Sequence, residues 1–172
     1  MVSWARPPGC PLVKISQTDD LETIQALDRT VFHGEELPHL EEATWWVATE
    51  DGHEVAYAGG VQDTDGYFFL CRAGVLPEAR GQGLQRRLIR VRVQFAQRNA
   101  MRSCYTYTVP HNTASSNNLI RCGFTLWRPA VPWAGDEALY WYRRAAAAPA
   151  RQSAAPGLHT GAPGPGFGTR TK

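Results

Sequence analysis

The stretch Val75-Leu76-Pro77-Glu78-Ala79-Arg80-Gly81-Gln82-Gly83-Leu84-Gln85 decides the fold. A β-prone run stops at Pro77, two glycines make a tight turn, and a helical pattern begins. Leu84, Leu88, Val91 and Phe95 then recur at i, i+4, i+7 and i+11, one apolar stripe of a helix ending near Asn99. Backbone N–H groups over 81–85 at the start of such a helix have no intrahelical acceptors, and the helix dipole adds partial positive charge there. The turn is therefore suited to a phosphate or pyrophosphate, and glycine lets the anion approach the backbone. A dinucleotide fingerprint of the G-x-G-x-x-G type does not fit, because Arg86 stands at the third glycine; a Walker loop lacks its Gly-Lys-Ser/Thr.

Outward from this turn the pattern alternates between strands and helices. Upstream, 12–15 reads as a short strand. Thr18-Asp19-Asp20 offers caps, and Leu21, Ile24, Leu27 and Val31 follow at helical spacing. The segment 33–43 is polar, contains Pro38, and reads as a loop with about one helical turn. Strands are expected over 44–49, 54–62 and 67–76, with Asp51-Gly52 and Asp65-Gly66 as turns of an antiparallel meander. Downstream, 103–109 is a strand, 110–112 a turn, and 114–121 a short helix closed by Gly123. Two last strands are expected over 124–127 and 138–143. The β-α-β unit from 67 to 109 implies parallel neighbours. The fold class is α/β (α+β): a mixed, mostly antiparallel sheet of six to seven strands flanked by helices.

The chain has 172 residues, enough for one domain with its own core. We read 1–9 as an N-terminal extension, 10–144 as the domain, and 145–172, rich in Ala, Pro and Gly, as a disordered tail. No run reaches membrane-spanning length and the first residues lack a secretory pattern, so a cytoplasmic protein with no membrane partner is expected. Cys10, Cys71, Cys104 and Cys122 include no C-x-x-C pair, so free thiols and no metal site are expected.

Charge is divided along the chain. Residues 1–70 carry three basic and thirteen acidic side chains, a net −10. Residues 71–144 carry twelve basic and three acidic ones, a net +9. The halves either attract one another or meet differently charged partners. Arg86, Arg87, Arg90, Arg92, Arg98 and Arg102 have no aromatic platform among them. They read as a solvated helix face, and no nucleic-acid partner is expected.

At the central turn the sequence resembles the GNAT N-acetyltransferase superfamily. Its signature, Arg/Gln-x-x-Gly-x-Gly/Ala, is met by Arg80 and Gly83, while Gln85 departs at the last position. The context of Val75, Pro77 and Gly81 is similar too. Asn112, Ser115, Gly123 and Phe124 resemble a second signature of an Asn-led turn, a short helix and Gly-Phe. The order of elements from 12 to 143 matches a whole domain of this type.

The resemblance implies that acetyl-CoA binds and that an amine is acetylated by direct attack. Its pyrophosphate would lie on Gly81, Gln82, Gly83, Leu84 and Gln85. Its pantetheine arm would pair with Ala73, Gly74 and Val75, where the fourth and fifth strands splay, with a bulge at Gly74. Asn112 and Ser115 would touch the pantetheine or adenine end. Arg80, Arg86 and Arg87 would lie nearest the phosphates. The amide near Val75 would stabilise the oxyanion.

Two usual catalytic residues are missing. The fourth strand, Tyr67 to Arg72, holds no carboxylate, and Leu119 stands where relatives carry a tyrosine acid. The remaining candidates are Tyr107 on the fifth strand and Glu35 or Glu36 in the 33–43 loop, of which Tyr107 and Glu36 are taken as the catalytic pair. His111 reads as a surface residue. One of Trp45 and Trp46 should be core and the other should face the acceptor or a partner, and Trp133 would permit a homodimer. The acidic first half favours a cationic acceptor: a small amine, a lysine or an N-terminal amine. The absent acid and base also leave open a non-catalytic acyl-CoA sensor of the same fold.

Overall fold

The structure is a computed structural model, which describes residues 12–145. The N-terminal extension, Cys10 and the tail beyond Ala145 lie outside the described residues. The element order is β1 (Val13–Thr18), α1 (Leu21–Phe32), β2 (Thr44–Glu50), β3 (His53–Gln62), β4 (Phe68–Val75), a 3-10 turn (Pro77–Ala79), α2 (Leu84–Arg98), β5 (Ser103–Thr108), α3 (Thr113–Arg121), β6 (Thr125–Trp127) and β7 (Leu139–Arg144).

One seven-stranded sheet carries them, in the order β1-β2-β3-β4-β5-β7-β6. All neighbours are antiparallel except β4 and β5. The Asp51-Gly52 turn has φ of 48° and 89° at its two residues, and the register closes at Glu50 opposite His53, a two-residue hairpin of the twisted kind. Asp20 caps α1, its Oδ1 accepting from the Thr23 amide at 3.0 Å. Gly123 ends α3 at φ 80°, with its amide on the Ile120 carbonyl at 2.9 Å. Within the 33–43 loop the Ala43 amide reaches the His39 carbonyl at 3.0 Å, a single helical turn.

The sheet has two covered faces, and this corrects the reading of the tryptophan pair. Trp45 is 1% exposed and packs with Ile24, Leu27 and Tyr57 under α1. Trp46 is 6% exposed and packs with Phe68, Leu88 and Val93 under α2. Adjacent strand residues point to opposite faces, and both faces are core here. Trp133 packs against Tyr140, with ring centroids 4.5 Å apart. Arg92, read as part of a solvated face, is 3% exposed.

Candidate active site

β4 and β5 pair only at Phe68–Cys104 and Phe69–Tyr105. The Thr106 hydroxyl donates to the Leu70 carbonyl at 2.8 Å, and beyond it the strands part. The register of β3 against β4 moves from Gly60–Leu70 to Ala58–Ala73, so Cys71 and Arg72 both lie opposite Gly59. This is a β-bulge at the point of parting. It sits two to three residues earlier than expected, because Gly74 remains in register with Tyr57. Gly74 serves close packing instead: a Cβ there would lie 2.5 Å from the Tyr57 ring. The Leu76 amide donates to Val55 in β3 at 2.9 Å. By strand alternation the amides of Ala73 and Val75 face away from β3, toward the parted side.

The glycine turn follows. Gly81 and Gly83 have φ of 82° and 76°, the left-handed region that favours glycine. Gly83 is the N-cap of α2 and no side chain caps the helix. The first α2 amide bonded within the helix is that of Arg87, to the Gly83 carbonyl at 3.2 Å. The turn opens on a cavity of about 560 Å³ lined by Ala73, Gly74, Val75, Arg80, Gly81, Gly83, Leu84, Gln85 and Asn112, among others. Uncapped amides around two left-handed glycines fit a pyrophosphate, so this donor set suits the co-substrate.

The other expected contacts divide. Asn112 Oδ1 accepts from the Ser115 amide at 3.1 Å, so its side chain caps α3 while its residue lines the cavity. Gln85 donates to Ser115 Oγ at 2.6 Å and accepts from Asn118 Nδ2 at 2.7 Å, tying α2 to α3. Arg80 Nε donates to the Val75 carbonyl at 3.2 Å, pinning the loop to the strand end. Arg86 lines the cavity. Arg87 does not; its Nη2 donates to Val13 in β1 at 2.7 Å.

A second cavity, of about 220 Å³, shares Phe32, Ala73, Gln85 and Asn112 with the first. It is also lined by Arg72, Arg92, Thr106, Tyr107 and Leu119. The two form one path along the parted strands. Tyr107 lines it, and burial raises its hydroxyl pKa, with Arg72 opposing. Glu36 is exposed and lines neither cavity. Its neighbour Glu35 accepts from Arg72 Nη2 at 3.0 Å.

Arg72 belongs to a network that sequence reading missed. Its Nε donates to Asp28 Oδ1 at 2.9 Å, and the Tyr57 hydroxyl donates to the same oxygen. Asp28 is 1% exposed. The Arg72 guanidinium also lies 3.6 Å from the centroid of the Phe32 ring. Burial, then the Asp28 carboxylate, raises the Tyr57 pKa above the ordinary tyrosine range. One arginine thus carries two carboxylates, leaving the cluster net negative beside the cavity. The only sequence signal was Asp28 itself, an acid four residues after Ile24 on the inner stripe of α1.

The sequence model of the acetyltransferase (GNAT) family matches residues 12–124, and the chain belongs to that family. It is an acetyl-CoA-dependent N-acetyltransferase by class. No curated protein sequence matches it. Among solved structures it is similar to the ribosomal-protein-S18-alanine N-acetyltransferase from Escherichia coli, at 18% identity and a TM-score of 0.64 over 80% of this chain and 96% of that one. It is similar to yncA from Salmonella typhimurium, solved with its cofactor acetyl-CoA, at 17% identity and a TM-score of 0.64 over 83% and 99%. It also resembles the GNAT family N-acetyltransferase YhbS from Escherichia coli, solved with CoA, at 21% identity and a TM-score of 0.60 over 83% and 85%. At these identities the likeness is one of fold. Among the described residues no group of His, Cys, Asp or Glu could hold a metal, and no helix is long and apolar enough to cross a membrane.

Proposed function

We propose that this acetyltransferase acylates a cationic primary amine, with Glu35 and Tyr107 flanking the reaction. The observation that carries the reading is the continuous path from the uncapped α2 turn to the Arg72–Glu35 pair and Tyr107. The amides of Gly81, Gln82, Gly83, Leu84 and Gln85 hold the pyrophosphate, and Arg80 and Arg86 add positive charge. The open amides of Ala73 and Val75 orient the arm, with Asn112 and Ser115 along it. When bound, acetyl-CoA supplies an activated acyl thioester. Tyr107, kept protonated by burial, holds a hydroxyl proton for the departing sulfur. Glu35, fixed by Arg72, attracts the ammonium form of the acceptor and takes up its proton, directly or through water. Glu35 replaces Glu36 in this role because only Glu35 is held against a cavity-lining residue.

The test is acetyl transfer to a panel of a diamine, a lysine peptide, an N-terminal peptide and an anionic amino acid. The cationic acceptors should be preferred. Glu35→Gln should raise the KM for amine about tenfold or more and leave the KM for acetyl-CoA unchanged. Equal use of anionic acceptors would contradict the reading.

A further inference from the structure

Arg92 is a buried cation without a carboxylate. It stands near the middle of α2 with its side chain under the sheet. Nε donates to the Leu88 carbonyl at 3.1 Å and Nη1 to the Gly59 carbonyl at 3.0 Å. Both printed bonds of the guanidinium thus go to neutral carbonyls, and Arg92 lines the smaller cavity. No ion pair among the described residues involves it. The titratable groups that face it are thiols: Cys71 from β4, Cys104 from β5 and Cys122 at the end of α3. Burial raises Cys104 to about 12 and Cys71 to about 11, so those two stay neutral beside the guanidinium. Arg143 is the other charged group near Cys104, and it too is a cation. Burial pulls Arg92 itself down to about 10, which leaves it charged at neutral pH. A desolvated cation is costly unless an anion meets it.

The same cavity is lined by Leu119, the position at which the family resemblance implies a proton donor to the leaving group. We infer that Arg92 is a catalytic residue that receives the negative charge of the CoA sulfur as acyl transfer proceeds. This rests on the acetyl-CoA site proposed above. As the nitrogen–carbon bond forms, the carbon–sulfur bond breaks and its electron pair leaves on sulfur. The acceptor's proton passes to Glu35 or water. Arg92 holds the sulfur as thiolate until a proton arrives from Tyr107 or solvent. A leucine at 119 is then no handicap, because a fixed positive charge performs the stabilisation. The guanidinium needs no acid partner in the resting protein because its partner is formed in the reaction.

Product binding tests this without turnover. Calorimetry with CoA and with desulfo-CoA, from pH 6.5 to 9, separates the sulfur's charge from every other titration, protein thiols included. For the native protein, affinity for CoA should rise with pH relative to desulfo-CoA, by up to about tenfold per pH unit, because the bound thiol ionises below its free value. In Arg92→Leu the two profiles should become parallel, and Arg92→Lys should retain part of the rise. Parallel profiles in the native protein would overturn the inference even if neither variant folds. A rise that persists in Arg92→Leu would overturn it as well. Failure of both CoA and desulfo-CoA to bind would instead overturn the cofactor site itself.

Discussion

Asp28 shows how much one buried carboxylate can fix. It accepts from Tyr57 and from Arg72, and through Arg72 it positions Glu35. Removing it leaves a guanidinium and a phenol without their acceptor, so Asp28→Ala should cost about 3 kcal/mol in urea unfolding. Asp28→Asn, which keeps an acceptor, should cost less. Its effect on function should appear in the KM for amine more than for acetyl-CoA. Cys104 gives a pH signature. It is 0% exposed, and burial raises its thiol to about 12 from an ordinary 9.0. Between those values the unfolded chain releases the proton and the folded chain keeps it, so stability falls as pH rises. Its contribution is complete below pH 9, and about 1 kcal/mol should be lost by pH 10. Urea unfolding at pH 8 and pH 10 measures this, and Cys104→Ala should remove that part of the drop. These residues were poorly legible in the sequence. Tyr57 and Arg72 lie 29 and 44 positions from Asp28, and no local pattern joins them. Arg92 was nearer to legible, since it falls four residues after Leu88 on the apolar stripe.

Elements were far more legible, because their signals are local. The Asp-Gly hairpin, the caps at Asp20 and Asn112, and the helix end at Gly123 all form where their residue types direct. Two features escaped. β7 inserts between β5 and β6, which depends on pairing far along the chain. The β4 bulge falls at Cys71–Arg72 and not at Gly74, because Gly74 is needed against Tyr57. Gly74→Ala should therefore cost about 1–3 kcal/mol as overpacking. A thermal melt checks this, and an unchanged Tm would contradict the close contact. The α2–α3 junction depends on Gln85, which bonds both Ser115 and Asn118. Gln85→Ala should lose about 1–2 kcal/mol and weaken acetyl-CoA binding, because α3 carries Ser115 and its cap Asn112 to the cavity wall.

At the scale of the molecule the charge division resolves into two functions. Arg72 joins the basic half to the acidic half, through Asp28 and Glu35. The net +9 of residues 71–144 gives that half a field suited to an anionic ligand. Acetyl-CoA binding should weaken several-fold between about 50 and 500 mM salt, as screening shortens that field. The central claim is that the Gly81–Gln85 turn is the anion cradle of an acetyl-CoA site. Calorimetry of acetyl-CoA against the native protein and Gly83→Glu tests it most directly, since the substitution places a carboxylate where the pyrophosphate should lie. The account predicts micromolar binding by the native protein and a loss of at least about a hundredfold in a variant whose circular dichroism shows it folded. Native-like binding by folded Gly83→Glu, or none by the native protein, would contradict it.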